Sequence, residues 1–317
     1  MINVQILTYN NQSTVRRAIE SLISINAEVT VGDLGSTDNT VPICENLGAI
    51  VEHFGGVDRA TARNRLAKPG LNLAMEPWEV LVQGKVDSIA DCAYVTVINR
   101  RILTREIRLW KFGALHINPT FESLDCSAQI ESDIVLSSIG RRDFEYDRTM
   151  IDLWKKQHPT APEPYYYSSC IELAEAKYDE FMRNAEHYLF LDRTQRMTTV
   201  MTRYYLAMTY LVHRRQARPS LQNINLCLCA RPLMAEFWCL MGDIYYHLLK
   251  NFRAAMEFYE NAIILGSRRL KSDRWPMDIS KYRDYPDKMI ESCKSLSEKS
   301  AWFAGTSTNL PSGLPQL

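Results

Sequence analysis

The first 55 residues alternate two periods of hydrophobicity, and that alternation leaves few folds open. Val4–Thr8 is a short apolar run that ends in Tyr9-Asn10-Asn11. Ser13 then caps a stretch in which Val15, Ala18, Ile19, Leu22 and Ile23 recur at helical spacing. Glu28–Asp33 reads as a second strand running into Leu34-Gly35-Ser36-Thr37-Asp38, and a second helix covers about Thr40–Leu47 until Gly48 ends it. Ala49–Phe54 is a third strand. A β-α-β-α-β order implies parallel strands joined by right-handed crossovers. Ligands of such sheets lie outside the carboxyl ends of the strands, where Asn10 and Asp33 fall.

Further on, a helix from about Arg59 to Ala67 carries Arg63-Asn64, and Trp78–Val82 reads as the fourth strand. Tyr94–Asn99, Glu106–Trp110 and Ile134–Ser138 supply three more. Beyond about Asp147 the period becomes helical and stays so to about Leu265, while the chain from Ala304 is rich in Ser, Thr, Gly and Pro. The expected organisation is an α/β domain over residues 1–150, a helical domain over 151–300 and a loose tail over 301–317.

The helical half repeats itself. Ala235-Glu236-Phe237-Trp238, Met241-Gly242, Tyr245, Ala255, Tyr259 and Ala262 resemble the tetratricopeptide pattern, with one extra residue between its two helices. Leu206-Ala207, Tyr210 and Pro232 fall at matching places one unit earlier, and Ala174–Leu191 reads as the second helix of a more degenerate unit. Small residues at these points let helices approach closely. An ordinary helical bundle is the plainer alternative.

Charge excludes one class of function. Lys+Arg and Asp+Glu both number 37, so the chain lacks the basic excess of a general nucleic-acid binder. Arg193, Arg196, Arg203, Arg214, Arg215 and Arg218 crowd one region, which reads as a solvated helical face and leaves a local basic surface open. Met1-Ile2-Asn3-Val4 enters a strand-like run at once, so no signal peptide is expected, and no run reaches the roughly 18 apolar residues of a membrane span. The eight cysteines lack metal spacing and read as buried free thiols, as in a cytoplasmic protein.

Ile6-Leu7-Thr8-Tyr9-Asn10-Asn11, Val31-Gly32-Asp33-Leu34-Gly35-Ser36-Thr37-Asp38-Asn39-Thr40 and Ala62-Arg63-Asn64 together resemble glycosyltransferase family 2. The likeness covers about residues 1–83 and reappears at Arg108-Leu109-Trp110 and Phe121-Glu122-Ser123-Leu124. It implies the fold called GT-A and a nucleotide-sugar donor, most often a UDP-sugar. By that resemblance Asp33 is placed to accept from the base and the backbone around Thr8, Tyr9 and Asn10 flanks it. Gly35 allows a tight turn, Ser36 and Asp38 order the next helix start, and Arg63 approaches the diphosphate or ribose. The structural alternatives are caps for Ser36 and Asp38 and an ion pair for Arg63.

The resemblance also implies a buried strand running into Asp-x-Asp, which holds Mn²⁺ or Mg²⁺ on the diphosphate. Counting from Trp78 puts those two positions at Gln83 and Lys85, and puts at Ser138 a later His position of a family subgroup that joins this domain to tetratricopeptide-like helices. No metal site is therefore expected, with Asp87 an off-register substitute. Either Lys85 does the cation's electrostatic work, with Gln83 beside the donor, or the site has decayed. Glu122 stands where the resemblance implies the general base, with Phe121 replacing the usual His and Asp125 as the fallback. Two functions stay open: a transferase whose acceptor is a protein, peptide or nucleic acid on the helical repeats, and an inactive scaffold that binds partners through those repeats. Assembly as a homo-oligomer stays open with either.

Overall fold

Ile2–Thr8 (β1) is buried along its whole length, and the fold is laid out on both of its faces. The computed structural model describes residues 1–84, 91–120, 123–126, 130–140, 142–270 and 273–306. After β1 come α1 (Val15–Glu20), β2 (Ala27–Asp33), α2 (Thr40–Asn46), β3 (Ile50–His53), α3 (Arg59–Leu66), β4 (Leu71–Met75) and β5 (Glu79–Gln83). Then follow β6 (Cys92–Asn99), β7 (Ile102–Lys111), the two-residue strands β8 (His116–Ile117) and β9 (Ser123–Leu124), and β10 (Ile130–Ser138). Three helices, α4 (Glu145–Gln157), α5 (Glu163–Ala174) and α6 (Tyr178–Leu191), complete this part of the chain.

The main sheet runs β3-β2-β1-β4-β7-β6-β10-β5. β1 pairs in parallel with β2 (Thr8 opposite Asp33) and with β4 (Ile6 opposite Met75), and β3 extends the parallel half. β7 is antiparallel to both β4 and β6, and β5 is antiparallel to β10. Side chains alternate across the pleat. Val4 and Ile6 therefore face Val15, Ala18, Ile19 and Leu22, while Leu7 packs with Ala62 and Leu66 of α3. The α3 side also carries a buried polar ladder across three strands. Thr30 Oγ1 donates to Asn3 Oδ1 at 2.8 Å, and Asn3 Nδ2 donates to Asn72 Oδ1 at 2.8 Å.

The expected α/β sheet followed by tetratricopeptide-like helices is what the chain folds into. Several local expectations shift. Leu71–Met75 is a strand that the hydrophobic pattern did not reveal, and it takes the position next to β1. The segment expected as the fourth strand instead forms β5, at the far end of the sheet path. Thr14, not Ser13, holds the N-cap of α1, and its backbone N–H bonds to the Asn11 carbonyl at 3.0 Å. Ala174 ends α5 instead of opening a helix, because Ala176 turns the chain with φ +59°.

Two of the eight cysteines are not free thiols: Cys92 and Cys126 form a disulfide. They lie 34 residues apart in sequence, so only the fold brings the start of β6 and the turn after β9 together, over Trp110 and Leu124. Of the other six, Cys44, Cys227, Cys239 and Cys293 are buried free thiols as expected, whereas Cys170 is half-buried and Cys229 is exposed; burial pushes Cys44 and Cys227 up to about 12.

By packing, Met1–Leu191 with Arg274–Met277 forms one unit, and Asp192–Asp273 with the chain from Asp278 onward forms another. The second unit holds α7 (Met197–Thr209), α8 (Ala217–Ala230), α9 (Ala235–His247), α10 (Phe252–Gly266) and α11 (Asp284–Thr306). α7 and α8 make one hairpin, where Ser220 Oγ donates to the Ala207 carbonyl at 2.6 Å. α9 and α10 make the next, and here the small residues of the repeat show their purpose. A Cβ added at Gly242 would lie 2.6 Å from the Tyr259 ring, so only glycine lets that ring lie against α9. Tyr259 and Tyr285 both donate to Asp243 Oδ1, at 2.7 and 2.5 Å. α11 carries the chain to Thr306; the remainder of the expected loose tail lies outside the described residues. Among the described residues, no helix is long and apolar enough to cross a membrane.

Candidate functional site

The carboxyl ends of β1, β2 and β4 lie side by side, and two loops leave them. The loop after β1 holds Tyr9–Thr14, and the loop after β2 holds Leu34–Asn39. Their hydrogen bonds run mostly to each other. Asn10, at φ +54°, donates its backbone N–H to Ser36 Oγ at 3.0 Å and receives the Thr37 N–H on Oδ1 at 2.8 Å. Asn11 N–H donates to Thr40 Oγ1 at 2.7 Å, Gln12 N–H to Asp38 Oδ2 at 3.2 Å, and Asn39 N–H to Gln12 Oε1 at 3.2 Å. The motif that carried the resemblance is thus a zipper between two loops.

Asp33 closes the same structure from below. It is 3% exposed, and its carboxylate accepts from the Gly35 and Ser36 N–H groups at 3.2 and 3.1 Å, with His53 Nδ1 at 3.5 Å. Its neighbour Thr8 is also buried, and its backbone carbonyl accepts from Leu34 N–H at 2.9 Å. Gly35 sits at φ +106°, where a side chain would be strained whatever space surrounds it. Burial pushes the Asp38 carboxyl up, but hydrogen bonds from Thr40 and Gln12 outweigh it and hold the group below its usual range. Of these residues, Tyr9 leaves its ring on the rim of the loop, tilted against Tyr146 at 5.7 Å between centroids.

Arg63 does not take the place expected of it. The side chain is 1% exposed and lies between two strands, where Nη1 donates to the Gln5 carbonyl at 2.5 Å. Nη2 reaches the Met75 carbonyl at 3.3 Å and Glu76 Oε1 at 3.0 Å. A guanidinium so enclosed ties β1 to β4 and positions the strand ends instead of meeting a diphosphate. Asn64 has an equally structural role, since Oδ1 accepts from His116 N–H at 2.7 Å and Nδ2 donates to the His116 carbonyl at 3.0 Å.

Arg63 belongs to a buried ionic cluster at the end of β4. Arg59 Nη2 meets Glu76 Oε2 at 2.8 Å, and the Glu76 N–H donates to Glu79 Oε2 at 2.9 Å. Arg108, reaching over from β7, meets that same Glu79 oxygen at 2.6 Å and Glu106 Oε2 at 2.7 Å. Burial raises the Glu79 carboxyl above its ordinary value despite Arg108, and the nearby carboxylates hold the Arg108 guanidinium well above its own. None of Arg59, Glu76 and Glu79 was singled out from sequence. The available signal was the alternation Leu71, Leu73, Met75 ahead of Glu76-Pro77, since a proline after a short apolar run marks a strand end.

A second ion pair anchors the chain just before Glu122. Asp147 is 1% exposed and receives Arg142 Nε and Nη2, each at 2.6 Å, along with the Thr120 hydroxyl. Burial pushes this carboxyl up, but Arg142 outweighs it and holds it below the usual range. The Pro119 carbonyl accepts from Arg59 N–H at 2.9 Å.

Lys85, Asp87, Phe121 and Glu122 lie outside the described residues. Gln83 is described: it is exposed and ends β5, opposite Val135 of β10, so the structure does not seat it beside β1. Asp125 is exposed, with its N–H on the Leu115 carbonyl at 2.8 Å, and Ser138 pairs with Glu79 in the β5–β10 ladder. Among the described residues, no group of three or more His, Cys, Asp or Glu side chains is arranged to hold a metal ion.

Residues 4–68 match the family model described as glycosyl transferase family 2, so the resemblance read from the motifs holds over that stretch. No curated protein matches the chain. Among solved structures, MamA (residues 41 to the end) from Desulfovibrio magneticus RS-1 is similar at 15% identity, covering 51% of this chain and 85% of that one with a TM-score of 0.35. The Sgt2 TPR domain from Aspergillus fumigatus is similar at 14% identity, over 49% of this chain and 88% of that one, with a TM-score of 0.34. Glucosyl-3-phosphoglycerate synthase from Mycobacterium tuberculosis, in complex with Mn²⁺, UDP and glucosyl-3-phosphoglycerate, is similar at 19% identity over 32% of this chain and 44% of that one, with a TM-score of 0.25. Likenesses as distant as these carry no argument about function.

Proposed function

We propose that this chain is a glycosyltransferase that moves a sugar from a nucleotide donor, in our reading a UDP-sugar, to a macromolecular acceptor recruited by its helical repeats. The observation that carries the proposal is the family match over residues 4–68, whose motif residues build two interlocked loops at the carboxyl ends of three parallel strands. That is where an α/β sheet binds ligands. In this reading Tyr9 and Asn10 line the base, while Asp33, Gly35, Ser36 and Asp38 hold the loops in shape around it.

The transfer itself is assigned to the two residues named from sequence. Glu122 takes the proton of the acceptor hydroxyl as its oxygen attacks the anomeric carbon, and the sugar–phosphate bond breaks with its electron pair going to the nucleoside diphosphate. Lys85 sets an ammonium against that developing negative charge, which makes the reaction independent of a divalent cation.

A second reading has an observation of its own behind it. The motif side chains hydrogen-bond mainly to backbone N–H groups of the two loops, so their presence is accounted for by loop structure alone, as in a transferase-like scaffold whose repeats bind partners. Thermal-shift titration with UDP and a panel of UDP-sugars, with EDTA and with Mn²⁺, separates the two. Stabilisation that persists in EDTA and is lost in Lys85→Ala supports the transferase. Absence of any nucleotide effect under both conditions overturns it and leaves the scaffold.

A further inference from the structure

The geometry points to a cluster of arginines that does, for the acids at the end of β4, what a divalent cation does in a metal-dependent donor site. The fold itself makes the assignment. A strand-end acid that is to meet a ligand over β1 and β2 must lie on the strand beside β1, and that strand is β4, followed by Glu76-Pro77-Trp78-Glu79. β5, where counting along the sequence placed the first acid position at Gln83, is at the far end of the sheet path.

The residues present do not fit a cation. Both oxygens of Glu76 carry guanidinium groups, Arg63 on Oε1 at 3.0 Å and Arg59 on Oε2 at 2.8 Å. Glu79 is 2% exposed, and its Oε2 holds both Arg108 and the Glu76 N–H. With Glu106, which shares Arg108, three carboxylates stand against three guanidinium groups, so no excess negative charge remains to attract a metal. A divalent ion such as Mg²⁺ is held through one or two open carboxylates at about 2.0–2.1 Å, beside waters and substrate phosphates. It would gain open carboxylates here only by displacing buried guanidiniums from their counter-charges, and that leaves uncompensated buried charge.

The cluster also does mechanical work. Arg63 joins β1 to β4, Arg59 joins α3 to the end of β4, and Arg108 joins β7 to the start of β5. Glu76, Glu79, Arg59, Arg63 and Arg108 are thus positioning residues that set the floor of the donor site. The part of the inference concerning a donor rests on the transferase reading; the ionic cluster itself does not.

The test uses the full-length protein and Mn²⁺ alone, read by the electron paramagnetic resonance signal of the free aquo ion. Addition of protein is expected to leave the free-ion signal undiminished, or to diminish it equally in wild type, Glu76→Gln and Glu79→Gln. A saturable loss of signal in wild type that both variants abolish, while they retain wild-type circular dichroism, overturns the inference. Should either variant fail to fold, the double variant Glu79→Met/Arg108→Met replaces it. It is expected to melt several degrees above either single variant, and a double variant no more stable than both singles also counts against the cluster. Binding of UDP is measured separately by calorimetry in EDTA. Failure there overturns the transferase reading and leaves the Mn²⁺ result standing.

Discussion

The loops after β1 and β2 and the buried end of β4 close the same edge of one sheet, yet they use polar side chains in opposite ways. In the loops, Asn10, Asn11, Gln12, Ser36, Asp38 and Thr40 bond mainly to backbone groups, and the partners lie 26 to 29 residues apart along two short segments. At the end of β4, charged side chains meet one another, drawn from α3, the turn after β4, β5 and β7, and most of them are largely withdrawn from water. The first arrangement satisfies loop backbone and leaves a rim that a ligand can reach. The second fixes where the strands stop. Neutral hydrogen bonds each contribute modestly, whereas a buried ion left without its partner is costly. The two regions should therefore respond to mutation on different scales.

The largest expected effect is at Arg63. Arg63→Ala leaves Glu76 with one guanidinium and the Gln5 carbonyl with no donor from this side chain, and should cost about 3–5 kcal/mol in urea unfolding. A loss as small as that of a loop variant would erase the contrast between the two regions. Nearly as large is the disulfide, another link that sequence does not announce. Its closed loop of 34 residues predicts about 3–4 kcal/mol on the chain-entropy account, read as the difference between unfolding with and without reductant. In the loops, Gly35→Ala should cost about 1–3 kcal/mol because its backbone is left-handed, and Ser36→Ala about 1 kcal/mol for one hydrogen bond from Asn10.

The smallest effect separates two buried acids by pH. Asp147 has its carboxyl held down by Arg142, so its contribution is fully present above the unfolded carboxylate range. It is lost as pH falls through the lower folded value. Glu79 is raised by burial, so its contribution is present below the unfolded range and is lost as pH rises through the higher folded value. Melting temperatures from about pH 3 to 7 should therefore show a shallower acid limb in Asp147→Asn. Glu79→Gln should flatten the profile on the other side, and matching profiles for the two variants would contradict the assignment.

What was readable depends on distance along the chain. The β-α-β-α-β alternation, the two loops and the helical hairpin with Gly242 and Tyr259 are each written within a few turns of sequence, and each stands where it was expected. β4 was passed over because Leu71–Met75 is five residues long, follows Pro69-Gly70 and carries Asn72, which looks like a turn until it is seen bonding to Asn3. Arg63 was read as a ligand contact because a lone arginine in a motif does not reveal that Gln5 and Met75 enclose it. Cys92 and Cys126 looked like two more buried thiols for the same reason.

The sequence by itself determined the class of the fold, the order of its parts and the residues of the loop zipper, because hydrophobic period and turn chemistry are local properties. Only the tertiary structure decided which strand lies beside β1, and hence that the acids facing this edge are Glu76 and Glu79 with arginines for company. Strand order is set by backbone pairing between distant segments, and the fate of a charge is set by what removes it from water. Neither is a property of neighbouring residues.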